Sequence, residues 1–338
     1  MPLSVKGTLL LNEDPRSVKK AAKIIKNGGL VAFPTETVYG LGAAANDAAA
    51  VARIYKAKGR PADNPLIIHL SDFDQLKMVA RDIPDKAFHL ANCFWPGPLS
   101  LVLFRAEKIP ALVSAGLASI AVRMPDHRIA LELIRLSGFP IAAPSANRSG
   151  RPSPTSYRHV LEDLNGRIDA VIKSNTCAVG VESTVLDLTR DKPVILRPGG
   201  VSKENLELAL GETVFISGLS KKDATPRSPG MKYRHYSPDA RLILVTGSQS
   251  RRYNVIKALA NRYLKLGLKV GYLNFKLESS LNSRISPEQM ASTLYSSMRR
   301  MDQQGIDIIL AEEISPEGLG LAVMNRLKKA ATRILHAG

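Results

Sequence analysis

The chain has 338 residues, of which 45% are hydrophobic and 23% charged. This length favours two domains, and the composition is that of a globular protein and excludes an intrinsically disordered chain. The 47 lysines and arginines exceed the 30 aspartates and glutamates and leave a net charge of +17. Such an excess attracts nucleic acid, acidic membranes or phosphorylated small molecules, without choosing among them.

Two cysteines, Cys93 and Cys177, lie in unrelated segments. They suggest neither a zinc site nor a disulfide framework, and favour buried thiols in a reducing compartment. The first residues reach a proline and charged residues before a signal-peptide-length apolar run develops, and no later run approaches the ~20 apolar residues that span a bilayer. We therefore expect a soluble, cytoplasmic protein with no membrane partner.

The first helix is predicted from the residues that begin and end it: Asp14 can cap it, Pro15 suits its first turn and Gly28 can end it. Its apolar stripe would be Val18, Ala21, Ala22 and Ile25. After it the sequence predicts, in order, strand GLVAF, helix DAAAVARIYKA, strand PLIIHL, helix PDKAFHLANCF, strands SLVLF and SIAVRM, helix HRIALELIRLSG, strand PIAAP, and strands DAVIK, STVLDL and PVILR. The turn-length connections of the last three favour some antiparallel pairing, and hence a twisted mixed α/β sheet covered by helices.

Residues 217–240, SGLSKKDATPRSPGMKYRHYSPDA, have prolines and cations but no apolar periodicity, which is typical of a linker. Beyond it, RLILVTG, a helix from about Arg251 to Leu266, LKVGYLNF, PEQMASTLYSSMRRMDQQG, DIILAEE and GLAVMNRLKKAAT follow a βαβαβα order. This order predicts a small parallel-sheet, Rossmann-like domain. The predicted division is a first domain at 1–216, a linker at 217–240 and a second domain at 241–338.

Several catalytic motifs are absent from the sequence. It contains no GxxxxGK[ST] P-loop, no GxSxG elbow and no HExxH, and its six histidines show no metal-ligand spacing. Phosphate binding by a P-loop, and hydrolysis by a familiar triad or by zinc, are therefore disfavoured.

Polar clusters instead adjoin the predicted strands. FPTETVYGLG brings the polar side chains of Thr35, Glu36, Thr37 and Tyr39 together with Gly40 and Gly42, which would let the main chain approach a ligand. The remaining clusters are Lys58 and Arg60 before NPLIIH, Ser119 and Arg123 around IAV, Ser145, Asn147 and Ser153 in APSANRSGRPSP, and Ser183 and Arg197 beside the last strands. Ligands bind at such strand ends because loops converge there while the sheet stays rigid.

Most of these residues also have a purely structural explanation. Lys58 and Arg60 could lie on a solvated loop, Glu36 could cap a helix, and Ser145 and Asn147 could be turn residues.

His69, inside an apolar strand, could be a satisfied core histidine. Arg123 and Arg197 are harder to explain in this way. Each follows an apolar strand run, where an arginine is costly without an anionic partner.

The segments FPTETVYGLG, KGRPADNPLIIH, PSANRSGRPSPT, ESTVLDL and ILRPGG, in this order, resemble the YrdC-like domain of threonylcarbamoyl-AMP synthases. SPGMKYRHYSP and GLGLAVMNRLKKAA resemble the long, two-domain form of that family. The resemblance covers essentially the whole chain, without departure at the motif positions.

The resemblance implies a twisted α/β sheet with a positive concave surface. It also implies that L-threonine, bicarbonate or CO2, and ATP with magnesium give L-threonylcarbamoyl-adenylate and pyrophosphate. Partner transferases would then place the threonylcarbamoyl group next to the anticodon of certain tRNAs. No tightly bound organic cofactor and no metal ligand from protein side chains are expected.

By position, the resemblance assigns ATP binding to Lys58, Arg60, Asn64, Ser119, Ser145, Asn147, Ser153 and Arg197, with Lys58 and Arg60 catalytic. It assigns threonine binding to Thr35, His69, Arg123, Ala143 and Ser183. Residues 217–240 would be a lid with Tyr236 on ATP, or alternatively a tether whose cations only face water.

Two other functions remain open from the sequence. A non-enzymatic module could bind double-stranded RNA or tRNA through a basic concave face. A related carbamoyl-transfer enzyme could make carbamoyl-adenylate for another acceptor, without a need for threonine.

Overall fold

The structure is a computed structural model that describes residues 7–174, 177–217, 236–273 and 285–338. It divides into a first unit, Met1–Ser149 and Ser153–Tyr233, and a second unit, Gly150–Pro152 and Arg234–Gly338. Most of the predicted linker, 218–235, lies outside the described residues. The domain boundaries at 216/217 and 240/241 stay predictions.

Within the described part of the first unit, the helices are α1 (Pro15–Lys26), α2 (Ala48–Lys58), α3 (Leu76–Val79), α4 (Asp85–Phe94), α5 (Arg128–Ser137), α6 (Tyr157–Leu164) and α7 (Lys203–Leu210). The strands there are β1 (Leu9–Leu11), β2 (Val31–Phe33), β3 (Gly40–Ala44), β4 (Ile67–His69), β5 (Ala80–Arg81), β6 (Leu99–Arg105), β7 (Ser119–Arg123), β8 (Ile141–Ala143), β9 (Ala170–Ile172), β10 (Thr184–Asp187), β11 (Val194–Arg197) and β12 (Phe215–Ile216).

Helix α1 forms as its sequence predicts. The Asp14 side chain accepts the Ser17 N–H at 3.0 Å, and Pro15 occupies the first turn. Gly28 follows the helix with a left-handed φ of 75°. The apolar stripe is buried, at Val18, Ala21, Ala22 and Ile25.

The strands of the first unit form a mixed sheet in the order β1-β9-β2-β3-β8-β4-β7-β6-β10-β11-β12, with β5 paired to β6. The expected antiparallel pairing occurs between β10 and β11. Strand β4 runs antiparallel to β8 and parallel to β7. The carboxyl end of β8 and the amino ends of β4 and β7 therefore lie side by side, at the same end of these strands.

Successive residues of these strands face opposite sides. Val31 and Phe33 pack with α1 and α5, whereas Ala32 packs in the larger core that includes α2 and α4. Ile67 and Ala121 belong to a third, smaller apolar cluster. Because Ile67 lies opposite Ala143 in register, this cluster is on the α1/α5 side of the sheet.

Strand β3 was not predicted from the sequence, and its glycines have a packing role in the structure. A Cβ on Gly42 would come within 2.8 Å of the Phe33 ring, and one on Gly40 within 3.1 Å. These glycines make room for the Phe33 ring across the β2–β3 pair; that they also let the main chain approach a ligand stays a prediction. The low β-propensity of GLGAA hid this strand from sequence analysis.

The described elements of the second unit are β13 (Arg241–Gly247), α8 (Gln249–Lys265), β14 (Val270–Leu273), α9 (Pro287–Gln303), β15 (Ile308–Glu312), α10 (Gly320–Ala330) and β16 (Arg333–Ala337). The four strands pair in parallel in the order β14-β15-β13-β16, as the predicted βαβαβα pattern requires. The sequence did not reveal β16, a largely exposed strand at the edge.

Candidate active site

Lys58 is the last residue of α2, and its charge is buried rather than solvated. Its Nζ donates to the carbonyl oxygens of Ser145 and Asn147 at 2.5 and 2.6 Å, with the side chain 3% exposed. The Lys58 carbonyl in turn accepts the Ser149 N–H at 2.9 Å. The explanation as a solvated loop residue is therefore wrong for Lys58, which fixes the loop after β8.

Ser145 and Asn147 are also linked through their side chains. The Ser145 hydroxyl donates to Asn147 Oδ1 at 2.6 Å, and Asn147 Nδ2 donates to the Arg148 carbonyl at 2.7 Å. These contacts include the side-chain-to-backbone bonding expected of turn residues. The loop presents its polar groups beside the buried ammonium of Lys58.

Arg60 follows the left-handed Gly59 and turns back onto its own loop. Its Nε donates to the Asn64 carbonyl at 3.2 Å and its Nη2 to the Pro65 carbonyl at 2.9 Å. The solvated-loop explanation is wrong here too, because Arg60 is buried.

The Asn64 side chain is fully buried, at 0% exposed. Neither its Oδ1 nor its Nδ2 has a hydrogen-bond partner within the described part of the chain. Leaving a buried amide unsatisfied costs about 1–3 kcal/mol for each group. An uncompensated amide of this kind is typical of a residue that bonds to a ligand.

Four of the predicted segments meet along one row of the sheet. Gly40 bridges to Ser145, and extending the β4 registers by two residues places Pro65 level with Ser145 and Ser119. Thr35 lies in the loop between β2 and β3, at the same edge. The antiparallel and parallel pairings thus bring together loops that are far apart in sequence.

Arg123 lies at the other end of β7, about 13 Å from Ser119 by strand geometry, and reaches back to the β2–β3 loop. Its Nη2 donates to Glu36 Oε2 at 2.9 Å and its Nη1 to the Thr37 hydroxyl at 3.1 Å. Both members of the ion pair are buried, with side chains 3% and 8% exposed. The Thr35 hydroxyl is 2.8 Å from that of Thr37.

Glu36 was not among the predicted site residues, and its explanation as a helix cap is wrong because it lies between β2 and β3. Its only sequence signal was its place beside Thr35 in PTET. Glu36 Oε1 and Arg123 Nε have no hydrogen-bond partner among the residues that the structure describes. The buried pair therefore still has an unused donor, Arg123 Nε, and an unused acceptor, Glu36 Oε1, beside Thr35 and Thr37.

His69 lies opposite Arg123 in register and on the same face of the sheet. Its Nδ1 is 3.2 Å from the Ile67 carbonyl oxygen, and its ring meets Phe33 edge-on. Burial, and next the charge of Arg123, hold the His69 pKa well below 6.5. The imidazole is therefore neutral, as both the core and the site explanations allow. Ala143 is buried two residues along β8 from Ile141, the register partner of His69.

Ser183 and Arg197 form a second buried group at the β10–β11 pair. Arg197 Nη2 donates to the Ser183 carbonyl at 2.9 Å and to its hydroxyl at 3.1 Å. The Ser183 hydroxyl is also 2.8 Å from that of Ser100, on β6. Ser100 carried no signal in the sequence beyond being polar in an apolar strand.

Ser153 is buried and donates to Glu182 Oε1 at 2.6 Å. Tyr236, the predicted lid contact, belongs to the second unit. Its ring stacks on Tyr295 with centroids 5.5 Å apart, and the Arg326 guanidinium lies 5.1 Å from its centroid.

The two cysteines differ. Cys177 is buried, and burial raises its pKa to about 12. Cys93 is exposed, so the prediction of two buried thiols is wrong for it; it lies one helical turn from His89, with Sγ 3.9 Å from Nε2.

The described residues contain no group of three or more histidine, cysteine, aspartate or glutamate side chains placed to hold a metal ion. Across the same ranges, none of the helices combines the length and apolar character needed to cross a membrane.

Comparison with known proteins identifies the family. The Sua5/YciO/YrdC family model, described as "Telomere recombination", matches residues 23–199, and one described as "Threonylcarbamoyl-AMP synthase, C-terminal domain" matches residues 201–332. The chain is 49% identical over 332 residues to a threonylcarbamoyl-AMP synthase of Pyrococcus abyssi, covering 96% of this chain and 98% of that protein. The chain belongs to the threonylcarbamoyl-AMP synthase family.

A second member of the threonylcarbamoyl-AMP synthase family, from Bacillus subtilis, is 46% identical over 332 residues, covering 95% of this chain and 94% of the relative. A crystal structure of P. abyssi Sua5 complexed with L-threonine is 48% identical and matches with a TM-score of 0.91, covering 97% of this chain and 99% of that one. The family and the α/β fold class predicted from the motifs are confirmed.

Proposed function

We propose that this chain is an L-threonylcarbamoyladenylate synthase, which joins L-threonine, bicarbonate or CO2, and ATP with release of pyrophosphate. The observation that carries the proposal is the 49% identity, across 96% of the chain, to a protein named threonylcarbamoyl-AMP synthase. The buried cations and the uncompensated Asn64 amide give it a chemical basis.

The reaction brings anions together. The neutral amine of threonine attacks the carbon of CO2, forming a C–N bond and releasing a proton. An oxygen of the resulting carbamate then attacks the α-phosphorus of ATP and breaks its bond to the bridging oxygen, which leaves as pyrophosphate. Fixed cations stabilise the charge on the phosphoryl oxygens, and positioning supplies much of the remaining rate enhancement.

We assign this electrostatic role to Lys58 and Arg60. Each is buried and held by main-chain carbonyl oxygens, so its charge is fixed before substrate binds. Fixed charges need little reorganisation during the reaction. The other proposed ATP-binding residues are Asn64, Ser119, Ser145, Asn147, Ser153, Arg197 and Tyr236.

Threonine is assigned to the face that carries His69 and Arg123. The planar fork of Arg123 suits the substrate carboxylate, and neutral His69 adds no second charge beside it. The other residues proposed to bind the substrate L-threonine are Thr35, Ala143 and Ser183. A hydroxyl such as that of Thr35 can bond to the polar end of the substrate, which would reject analogues that lack the threonine hydroxyl.

Magnesium fits this site as part of the nucleotide. Mg²⁺ is usually bound through substrate phosphates and water, and the buried cations near Asn64 suit the same phosphates. When bound, it offsets charge on the phosphoryl oxygens. We propose no tightly bound organic cofactor, and a cytoplasmic location where the product passes to a tRNA threonylcarbamoyl-transferase.

The lid assignment rests on the composition of 217–240 alone, since 218–235 lie outside the described residues. Contact with tRNA or double-stranded RNA rests on the net charge of +17. A non-enzymatic RNA-binding module would need neither the carbonyl-held Lys58 nor a buried, unsatisfied Asn64, so the enzyme is favoured.

The proposal is tested by incubating the purified chain with ATP, magnesium, bicarbonate and one amino acid at a time. We expect pyrophosphate release that depends on threonine, with a product of the mass of threonylcarbamoyl-adenylate. Serine should substitute poorly and 2-aminobutyrate, which lacks the hydroxyl, more poorly still. Pyrophosphate release that is indifferent to the amino acid, or no release at all, would refute it.

A further inference from the structure

Ser100 is a fully buried serine of β6, within the first unit, and it lies on the face of the sheet assigned to threonine. The antiparallel β6–β7 register, continued by one residue beyond its last pair, sets Ser100 opposite Arg123. Directly opposite residues of neighbouring strands point to the same side of a sheet. Ser100 is therefore beside Arg123, on the side that also carries His69.

On its other side Ser100 contacts Ser183. In the parallel β6–β10 pair the register partner of Ser100 is Val185, and Ser183, two residues earlier, faces the same side. The two serine hydroxyl oxygens are 2.8 Å apart. Arg197 Nη2 donates to the Ser183 hydroxyl at 3.1 Å and to its carbonyl at 2.9 Å. Ser100 thus lies between Arg123 and the group formed by Ser183 and Arg197.

The two serine hydroxyls have more protons than acceptors. A hydroxyl donates one proton and accepts up to two bonds. Among the residues that the structure describes, the Ser183 hydroxyl bonds only to Ser100 and Arg197, and the Ser100 hydroxyl only to Ser183. The bond between the serines uses one proton, and the guanidinium is the donor in the other bond. One hydroxyl proton is left without an acceptor, which is costly at a buried site unless a ligand supplies one.

The direction of the Ser100–Ser183 bond decides which proton is left. If Ser100 donates, Ser183 accepts from both Ser100 and Arg197, and the Ser183 proton is free for a ligand. A hydroxyl that accepts from a cation is also polarised into a stronger donor. Ser100 lies within β6, flanked by β7 and β10, whereas Ser183 lies just before the start of β10. A ligand at the end of the strand therefore meets the Ser183 proton.

The ligand group that fits must accept hydrogen bonds without donating any. On the neighbouring strand, Arg123 Nε is a second donor that has no partner in the described ranges. A carboxylate has two oxygens that only accept, so it can bond to both donors. L-threonine brings such a group to this face under the proposed function.

We propose that Ser100 is a positioning residue for L-threonine: it donates to Ser183 and so directs the Ser183 hydroxyl proton to the substrate carboxylate, which Arg123 also binds. The proposal rests on the proposed function and deepens it, because it assigns Ser183 to the carboxylate of threonine. Ser100 acts through Ser183 and does not itself have to touch the substrate.

The test compares Ser100→Ala with Ser137→Ala in the full chain. Ser137 is a buried serine of α5 whose hydroxyl donates to the Leu133 carbonyl at 2.7 Å. The Kd of L-threonine is measured by calorimetry without ATP or bicarbonate, so that the carboxylate is tested apart from the carbamate. Ser100→Ala should raise this Kd by about threefold to tenfold, the effect of one hydrogen bond. Ser137→Ala should leave it unchanged, and Ser100→Ala should bind L-threoninamide, which has no carboxylate, as the unmodified chain does.

A double-mutant cycle separates positioning from a general loss of stability. Ser183→Ala should raise the threonine Kd by itself, and adding Ser100→Ala should raise it no further, because Ser100 acts through Ser183. Ser100→Thr keeps the hydroxyl and should bind threonine as the unmodified chain does. If Ser100→Ala does not fold, Ser100→Cys, whose thiol is a weaker donor of similar size, decides the test by the same rise in Kd.

Three results would overturn the proposal. They are an unchanged threonine Kd in the Ser100 variant, an equal loss of affinity for L-threoninamide, and effects of Ser100→Ala and Ser183→Ala that add. Failure of the proposed function is distinguishable, because the unmodified chain would then bind no L-threonine and form no threonylcarbamoyl-adenylate.

Discussion

Arg123 and Glu36 form a buried ion pair in which Arg123 Nη2 lies 2.9 Å from Glu36 Oε2. The bond is single, since Arg123 Nε and Glu36 Oε1 both lack a hydrogen-bond partner in the described ranges. Glu36 thus supplies the negative charge that a buried arginine requires, while leaving part of the guanidinium for another anion. A substrate carboxylate is the anion that the proposed function provides.

The first prediction concerns Glu36→Gln. Removing one member of a buried ion pair should lower the free energy of unfolding by about 3 kcal/mol. Threonine should restore part of this loss, because its carboxylate can take the place of the missing anion. The rise in melting temperature on adding L-threonine is therefore expected to be larger in the variant than in the unmodified chain.

Two controls belong with this measurement. L-threoninamide, which has no carboxylate, should give no extra stabilisation of Glu36→Gln. Glu132→Gln removes the partner of Arg128 in an exposed helix pair, and should change stability by less than about 1 kcal/mol. Equal threonine shifts in the Glu36→Gln and unmodified proteins would argue against a carboxylate at Arg123.

A second prediction separates stability from binding at Asn64. Because its buried amide has no partner among the described residues, Asn64→Leu should leave the melting temperature of the ligand-free protein unchanged or raise it. If that amide bonds to ATP, KM for ATP should rise by about tenfold or more. Asn147→Leu is the comparison: its amide is already bonded within the protein, so it should lose both stability and activity. A destabilised Asn64→Leu variant with normal KM for ATP would remove Asn64 from the site.

Local structure in this chain was predictable because its causes are local. Helix α1 carries its cap, its proline and its buried stripe within about four turns, and each was found where the sequence predicts it. Strand β13 matches RLILVTG for the same reason. Strand β3 was missed because its glycines lower its β-propensity, and the reason for these glycines is the ring of Phe33 on the neighbouring strand.

The sequence predicted which residues belong to the candidate site, but not which hydrogen bonds and ion pairs hold them in place. The motifs placed Lys58 and Arg123 in the site, yet the partners that hold them lie 87 residues away along the chain, at Ser145 and Glu36 respectively. Only the order and direction of the strands bring these segments together. From the sequence alone Glu36 could be a helix cap; in the structure it lies between β2 and β3 and pairs with Arg123 of β7.

A third prediction concerns the charge of Lys58. Lys58→Met keeps the length of the side chain but leaves two carbonyl oxygens, those of Ser145 and Asn147, without their donor. Stability should fall by about 1–3 kcal/mol, and kcat for threonine-dependent pyrophosphate release by about 100-fold. Lys56→Met, an exposed lysine on the same helix, should change neither. If Lys58→Met is destabilised but turns over normally at saturating ATP, Lys58 is a structural residue only.

The last prediction follows from the neutral state of His69. Burial and the charge of Arg123 lower the His69 pKa in the folded protein, whereas the unfolded chain takes up a proton near 6.5. The unfolded state therefore binds more protons below that pH, and the stability contribution, complete above pH 6.5, is lost as the pH falls, by up to about 1.4 kcal/mol per pH unit. Burial lowers the His127 pKa in the same direction, so denaturant unfolding of His69→Asn and His127→Asn should each show a shallower pH dependence. Since the pKa of His69 is lowered more than that of His127, His69→Asn should flatten the dependence of the free energy of unfolding on pH more than His127→Asn does. A His69→Asn protein with the pH dependence of the unmodified chain would contradict a neutral histidine beside Arg123.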